Sequence, residues 1–128
     1  MNDEVRLERI REVLDRLAVL SEDHVILVEG VNDVAALKAV GIDGDFFTIQ
    51  CSGGPMRAVE YVEAHGGKAV VLTDWDRRGG TIASQIRSMC GSGHDIDFDV
   101  RADLGKLCRT YIKDIESLAV LVERLSPT

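Results

Sequence analysis

The stretch that decides the fold is Val70-Val71-Leu72-Thr73-Asp74-Trp75-Asp76-Arg77-Arg78-Gly79-Gly80, an apolar run that ends in two aspartates one residue apart. The aliphatic run up to Leu72 is typical of a strand covered on both faces of a parallel sheet. Ligands of such sheets gather beyond the carboxyl ends of the strands, where Asp74 and Asp76 would lie. Paired carboxylates there suit Mg²⁺ or Mn²⁺. A polar turn that caps a helix would explain the same residues, and the motif alone leaves both interpretations open.

A second stretch of the same design lies upstream, in Val25-Ile26-Leu27-Val28-Glu29-Gly30-Val31-Asn32-Asp33. It is again an apolar run, and it ends in an acid and a glycine. The chain between Glu29 and Asp74 is long enough for helix, strand, helix and strand, which makes two successive right-handed crossovers. Two parallel strands would then direct their terminal acids into one crevice.

The order and strand context of the two motifs resemble the Toprim domain of topoisomerases, bacterial-type primases, nucleases and a ribosomal-RNA maturase. The resemblance covers about residues 25–100 and rests on Glu29-Gly30 followed by Asp74-x-Asp76-x-x-Gly79. It implies that Glu29, Asp74 and Asp76 hold one or two metal ions, or that Glu29 serves as general acid or base. Outside that range, the small size of the chain and residues 113–118 (Lys-Asp-Ile-Glu-Ser-Leu) are similar to stand-alone, uncharacterised Toprim proteins found mainly in archaea.

Several neighbours of the acids gain expected roles. Arg77 stands where Toprim proteins often carry a basic residue, and it is expected to contact a substrate phosphate or to bridge Asp74. Asp33 matches an acid that supports the metal ligands in that family, although helix capping alone would explain it. Gly30 would let the backbone approach a metal or phosphate closely. Gly53 follows the second predicted strand and resembles a phosphate-binding glycine, but an ordinary turn before a helix would also explain it.

The predicted architecture is a Rossmann-like three-layer sandwich, with a four-stranded, mainly parallel sheet and helices on both faces. Residues 1–128 are expected to form one domain, with an N-terminal helix at 1–20, a Toprim core at about 24–100 and closing helices at about 102–126. Asn32 or Asp33 is expected to cap a helix from Val34 to Val40. Strict alternation over residues 95–100 predicts a half-exposed edge strand whose acids face water.

Composition narrows the class of protein. A net charge of −7 works against sequence-independent binding to nucleic acid, because that affinity comes largely from basic side chains. The three cysteines and three histidines show no metal-site or disulfide spacing. No stretch approaches the roughly 20 apolar residues of a membrane span, and the acidic N-terminus is unlike a secretory signal. We therefore expect a cytoplasmic protein without a membrane partner.

These features predict a Mg²⁺-dependent protein, with Mn²⁺ as a substitute, that acts on nucleic-acid phosphodiesters in a nuclease-like or RNA-processing reaction. A metal- or nucleotide-binding module without catalysis, serving a larger RNA or DNA complex, is the alternative that small size and negative charge favour. Primase-like nucleotidyl transfer is disfavoured because the chain offers no separate template-binding module. We expect RNA or DNA as partner together with a partner protein, and the oligomeric state stays open, a dimer included.

Overall fold

A computed structural model describes residues 1–127, which form four strands, six helices and one short 3-10 turn. The strands are β1 (Val25–Val28), β2 (Phe46–Thr48), β3 (Lys68–Val71) and β4 (Asp95–Asp97). The helices are α1 (Asp3–Leu20), α2 (Val31–Ala39), α3 (Pro55–Ala64), α4 (Arg77–Met89), α5 (Asp99–Cys108) and α6 (Leu118–Leu125), with the 3-10 turn at Ile115–Ser117. The strands form one sheet in the order β2-β1-β3-β4, and every pair is parallel.

The two central strands are apolar on both faces, because successive side chains of a strand point to opposite sides of the sheet. One set of alternate residues, Ile26, Val28, Val70 and Leu72, packs in a core with α1, α2, α5 and α6. The other set, Val25, Leu27, Ala69 and Val71, packs in a second core with α3 and α4. The predicted three-layer sandwich is therefore confirmed, and the sheet is wholly parallel.

The carboxyl ends of the strands position the candidate site. β1 and β3 are adjacent and in register, with Leu27 opposite Val71, so the residues that follow them leave the sheet side by side. The helices after the first three strands, α2, α3 and α4, all begin at this edge. Within the described residues, no helix is both long enough and apolar enough to cross a membrane.

Two local predictions are wrong. α2 begins at Val31 with Gly30 as its N-cap, so the expected start at Val34 is three residues late. Asp33 does cap this helix, but from within the first turn, because its carboxylate reaches back to the Gly30 N–H at 3.0 Å.

The alternating stretch 95–100 does contain the predicted edge strand, β4, but the strand covers only residues 95–97. β4 stops at Asp97, because the Asp97 carboxylate accepts a hydrogen bond from the Val100 N–H at 2.9 Å and thereby supports the start of α5. Asp97 is half-buried, so it does not simply face water as predicted. The closing helices, expected at about 102–126, are interrupted between Cys108 and Ile115.

Candidate functional site

Glu29 and Asp74 meet at the carboxyl edge of the sheet, one beyond β1 and the other beyond β3. The Asp74 N–H donates a hydrogen bond to Glu29 Oε2 at 2.7 Å, and the Gln50 amide approaches Glu29 Oε1 at 3.4 Å. Glu29 is 4% exposed, so its carboxylate is held in place by packing as well as by these donors. The structure thus brings together two of the three acids that the sequence singled out.

Four carboxylates line one cavity of about 320 Å³ at this edge. Its lining includes the acids Glu29, Asp33, Asp74 and Glu116, together with Gly30, Val31, Asn32, Gln50 and Cys51. Within the described part of the chain, none of the four acids forms an ion pair with a lysine or arginine. The cavity therefore concentrates negative charge, which the nearby Arg101 guanidinium partly offsets without a direct ion pair.

The pKa values of two of these acids, Asp74 and Asp33, are raised, chiefly by burial. Burial raises the pKa of Asp74 to about 7, with the charges of Glu29 and Asp33 acting in the same direction, while the Ile115 N–H that Asp74 accepts acts against them. Burial also raises the pKa of Asp33, and the charges of Glu29 and Glu116 add to this, although the Gly30 N–H opposes it. A cation in the cavity would favour the charged forms of both groups.

Asp76 has a different role from Asp74. It is the N-cap of α4, and its Oδ1 accepts a hydrogen bond from the Gly79 N–H at 2.7 Å. Asp76 is exposed and is absent from the lining of the acidic cavity. The capping interpretation of the Asp-x-Asp-x-x-Gly motif therefore describes Asp76, whereas Asp74 faces the crevice.

Gly79 completes the motif for a steric reason. A Cβ at this position would collide with the backbone of Asp74, including its carbonyl oxygen. The Thr73 hydroxyl donates to the Gly79 carbonyl at 2.7 Å and closes the turn from the other side. The turn between β3 and α4 consequently accepts only glycine here.

The three expected phosphate-binding residues do not all lie at the cavity. Gly30 lines it, and a Cβ there would meet no heavy atom within 4 Å, so internal packing does not demand glycine. Gly53 has φ +107° in the turn before α3 and packs against the Arg57 side chain, outside the lining. Arg77 is exposed at the start of α4 and lines a separate surface depression of about 690 Å³ along that helix. It forms no salt bridge with Asp74.

Sequence reasoning missed two contributors from the C-terminal third of the chain. Arg101, on α5, donates to the carbonyl oxygens of Thr73 at 2.9 Å and Asp74 at 2.6 Å and so fixes the end of β3. The second is the 3-10 turn, which supplies the Ile115 N–H to Asp74 Oδ1 at 3.0 Å and the carboxylate of Glu116 to the cavity. No local sequence pattern predicts either contact.

The donor set of the cavity suits a hard cation, because its charged groups are carboxylates. Within residues 1–127, no group of three or more His, Cys, Asp or Glu side chains is arranged to hold a metal ion. Proteins usually bind Mg²⁺ through one or two carboxylates and leave several waters on the ion. Glu29 and Asp74 can supply such a pair.

Trp75, between the two aspartates of the motif, has a packing role. The Trp75 ring packs beside Gly105, and its Nε1 donates to the Arg101 carbonyl at 2.9 Å.

Comparison with known proteins gives relatives over almost the whole chain, although no family model matches it. The chain is 36% identical over 122 residues to a UPF0292 protein of Methanosarcina acetivorans, covering 94% of this chain and 84% of the relative. It is 37% identical over 122 residues to the UPF0292 protein of Methanosarcina barkeri (94% and 85%) and 31% identical over 118 residues to that of Methanocaldococcus jannaschii (91% and 92%). These relatives confirm the expected likeness to a small archaeal family, while the Toprim assignment stays a prediction.

A solved structure supports the fold. It is described as a putative protein from Aquifex aeolicus and matches with a TM-score of 0.70 at 29% identity. The match covers 84% of this chain and 95% of that chain.

Proposed function

The chain belongs to the UPF0292 family, and we propose that it is a Mg²⁺-dependent protein of the Toprim type that acts on nucleic-acid phosphodiesters in a nuclease-like or RNA-processing reaction. The observation that carries the proposal is the Glu29–Asp74 pair, which comes from the ends of adjacent parallel strands and opens onto a cavity lined by carboxylates. Mn²⁺ has the same preference for oxygen ligands and is expected to substitute.

The residues of the site would divide the work. Asp74 and Glu29 would hold the ion, and Mg²⁺ held there would supply an activated water and neutralise charge that develops on the phosphodiester. Asp33 fixes the start of α2 beside them through its bond to the Gly30 N–H. Arg77, exposed at the first turn of α4 and outside the cavity, would contact a neighbouring phosphate of a chain longer than one nucleotide. In the alternative arrangement, Asp74 holds the ion and Glu29 serves as general acid or base instead of as a ligand.

The direct test is cleavage of end-labelled single- and double-stranded RNA and DNA in Mg²⁺ and in Mn²⁺. Glu29→Gln keeps the shape of the side chain and an oxygen for the Asp74 N–H, but it removes the charge. Glu22→Gln is the matched control, because Glu22 is exposed in the turn before β1, at the opposite edge of the sheet. We expect cleavage by the wild type and Glu22→Gln, and a loss of about 100-fold or more in Glu29→Gln. Full activity in Glu29→Gln would contradict the mechanism.

A module without catalysis is the second candidate, and the position of Asp76 favours it. The third expected metal ligand is used as a helix cap and does not line the cavity, which leaves fewer charges to hold a catalytic pair of ions. The net charge of −7 also favours a partner that supplies basic surface for RNA or DNA. Mg²⁺ binding confirmed by calorimetry, together with no cleavage of any substrate in the panel, would support this candidate over the enzyme.

A further inference from the structure

Residues 113–117, here called the C-terminal latch, make two hydrogen bonds to the turn that follows β3, one to its backbone and one to a side chain. The Trp75 N–H donates to the Lys113 carbonyl at 3.1 Å. The Ile115 N–H donates to Asp74 Oδ1 at 3.0 Å, across a sequence separation of 41 residues. The latch therefore contacts the turn that carries Asp74 from a part of the chain beyond the four-stranded core.

The latch has anchors of its own, independent of Asp74. The Ile115 side chain is fully buried in the core that α1, α2, α5 and α6 share. The Asp114 carboxylate accepts a hydrogen bond from the Ser117 N–H at 2.9 Å and caps the 3-10 turn. Since these contacts fix the backbone at Ile115, its N–H points at Asp74 from a position that core packing determines.

Only one oxygen of the Asp74 carboxylate is engaged in this way. Oδ1 accepts from the Ile115 N–H, and no N–H group among residues 1–127 donates to Oδ2, although the Glu29 carboxyl lies within hydrogen-bonding reach of the Asp74 carboxyl. A carboxylate held at one oxygen presents the other in a defined direction, and such outer partners strongly affect the affinity of ligating groups for metal ions. Without the Ile115 donor, the Asp74 side chain would lose the hydrogen bond that restrains Oδ1.

We propose that the Ile115 N–H is a positioning group for Asp74, so that the cation site is complete only when the C-terminal latch is docked. The inference rests on the proposed function, because it takes Asp74 as a ligand of Mg²⁺. Coupling of this kind is reciprocal: the docked latch strengthens binding of the ion, and the bound ion stabilises docking of the latch by the same free energy.

The sequence allows a clean removal of this donor. Cys108 permits residues 108–128 to be made as a synthetic peptide and joined to residues 1–107 by native chemical ligation. In the test protein, the α-hydroxy acid analogue of isoleucine at position 115 replaces the N–H with an ester oxygen and keeps the side chain. The matched control is the same ligation product with a natural amide at Ile115. Circular dichroism confirms that both products fold.

The readout is the dissociation constant of Mg²⁺, measured by calorimetry at pH 8. We expect the ester protein to bind Mg²⁺ about tenfold more weakly than the amide control. Equal affinities in the two proteins would overturn the positioning role and leave the proposed function standing. No Mg²⁺ binding by the amide control would overturn both.

A second measurement on the unmodified chain covers the case in which the ester protein does not fold. The Ile115 amide resonance should shift as Mg²⁺ is added and saturate with the dissociation constant found by calorimetry, because the ion draws charge from its acceptor. The Val100 amide is the control, since it donates to the Asp97 carboxylate in the same type of bond at 2.9 Å, away from the cavity. An Ile115 resonance that does not move at saturating Mg²⁺ would overturn the inference.

Discussion

Asp74 uses its polar groups to join three parts of the chain. Its N–H donates to Glu29 after β1, its carbonyl accepts from Arg101 on α5, and its carboxylate accepts from Ile115 in the latch. These contacts hold a carboxyl group among other acids, where burial raises its pKa to about 7. A residue so heavily constrained and yet electrostatically unfavourable is typical of a functional site.

The raised pKa of Asp74 predicts a pH-dependent stability. In the unfolded chain the group titrates near 3.8, so the folded state binds the proton more tightly. The corresponding stabilisation is fully present below about pH 4 and is lost as pH rises through about 7. We expect Asp74→Asn to be more stable than the wild type at pH 8, by on the order of 2 kcal/mol for a partly solvated group, with the excess shrinking towards pH 4.

Urea denaturation without divalent ions, at several pH values between 4 and 8, measures this difference. Asn retains an oxygen that can accept from Ile115, so the variant isolates the charge. Asp15→Asn, on the exposed face of α1, is the control, and its free energy of unfolding should follow the same pH dependence as that of the wild type. If the free energy of unfolding of Asp74→Asn has the same pH dependence as that of the wild type across this range, the pKa of Asp74 is not raised.

Gly79 gives a second prediction at the scale of the residue. Gly79→Ala should lower the free energy of unfolding by about 3 kcal/mol, because its Cβ would collide with the Asp74 backbone. The adjacent Gly80→Ala is the control: a Cβ there meets nothing within 4 Å, and alanine favours the helix by up to about 1 kcal/mol. Thermal denaturation of the pair measures the contrast. Equal stability of the two variants would contradict the steric account of the motif.

At the scale of the element, the sequence predicts what is encoded locally. The apolar runs before Glu29 and Asp74 predict the two central strands. The glycines and proline at 53–55 indicate a turn followed by the start of a helix, which is α3. Such signals act within a few residues. The start of α2 was misplaced because Asp33 caps from inside the helix rather than before it. The contacts of Arg101 and Ile115 with Asp74 could not be predicted, since they depend on how α5 and the latch fold back across the sheet.

Arg101 predicts how α5 is fastened to the sheet. Arg101→Met removes both hydrogen bonds to the carbonyls after β3 and should cost about 2 kcal/mol or more. Arg101→Lys can retain one of them and should cost less. Lys106→Met, at an exposed position of the same helix, is expected to change stability by no more than about 0.5 kcal/mol. Chemical denaturation of the three variants checks this order of stabilities. An Arg101→Met variant as stable as the wild type would contradict the role of Arg101 in attaching α5 to the sheet.

At the scale of the whole molecule, the two helical layers differ in what they contribute. The layer of α3 and α4 packs against one face of the sheet, and α4 carries Asp76 and Arg77 at its start. The layer of α1, α2, α5 and α6 includes the segments that supply Asp33, Arg101 and the latch. The cavity therefore depends on residues from both halves of the chain, in a molecule whose net charge of −7 favours the binding of cations.

The most direct test of the central claim is a crystal structure of the chain with Mn²⁺, in which anomalous scattering locates the ion. We predict an anomalous peak in the cavity, with an Asp74 oxygen about 2.1 Å from the ion and Glu29 bound directly or through water. Crystals of the Asp74→Asn variant prepared with Mn²⁺ in the same way should show a weakened or missing anomalous peak in the cavity. A peak at Asp76 alone, or no peak at saturating Mn²⁺ in the wild type, would contradict the account.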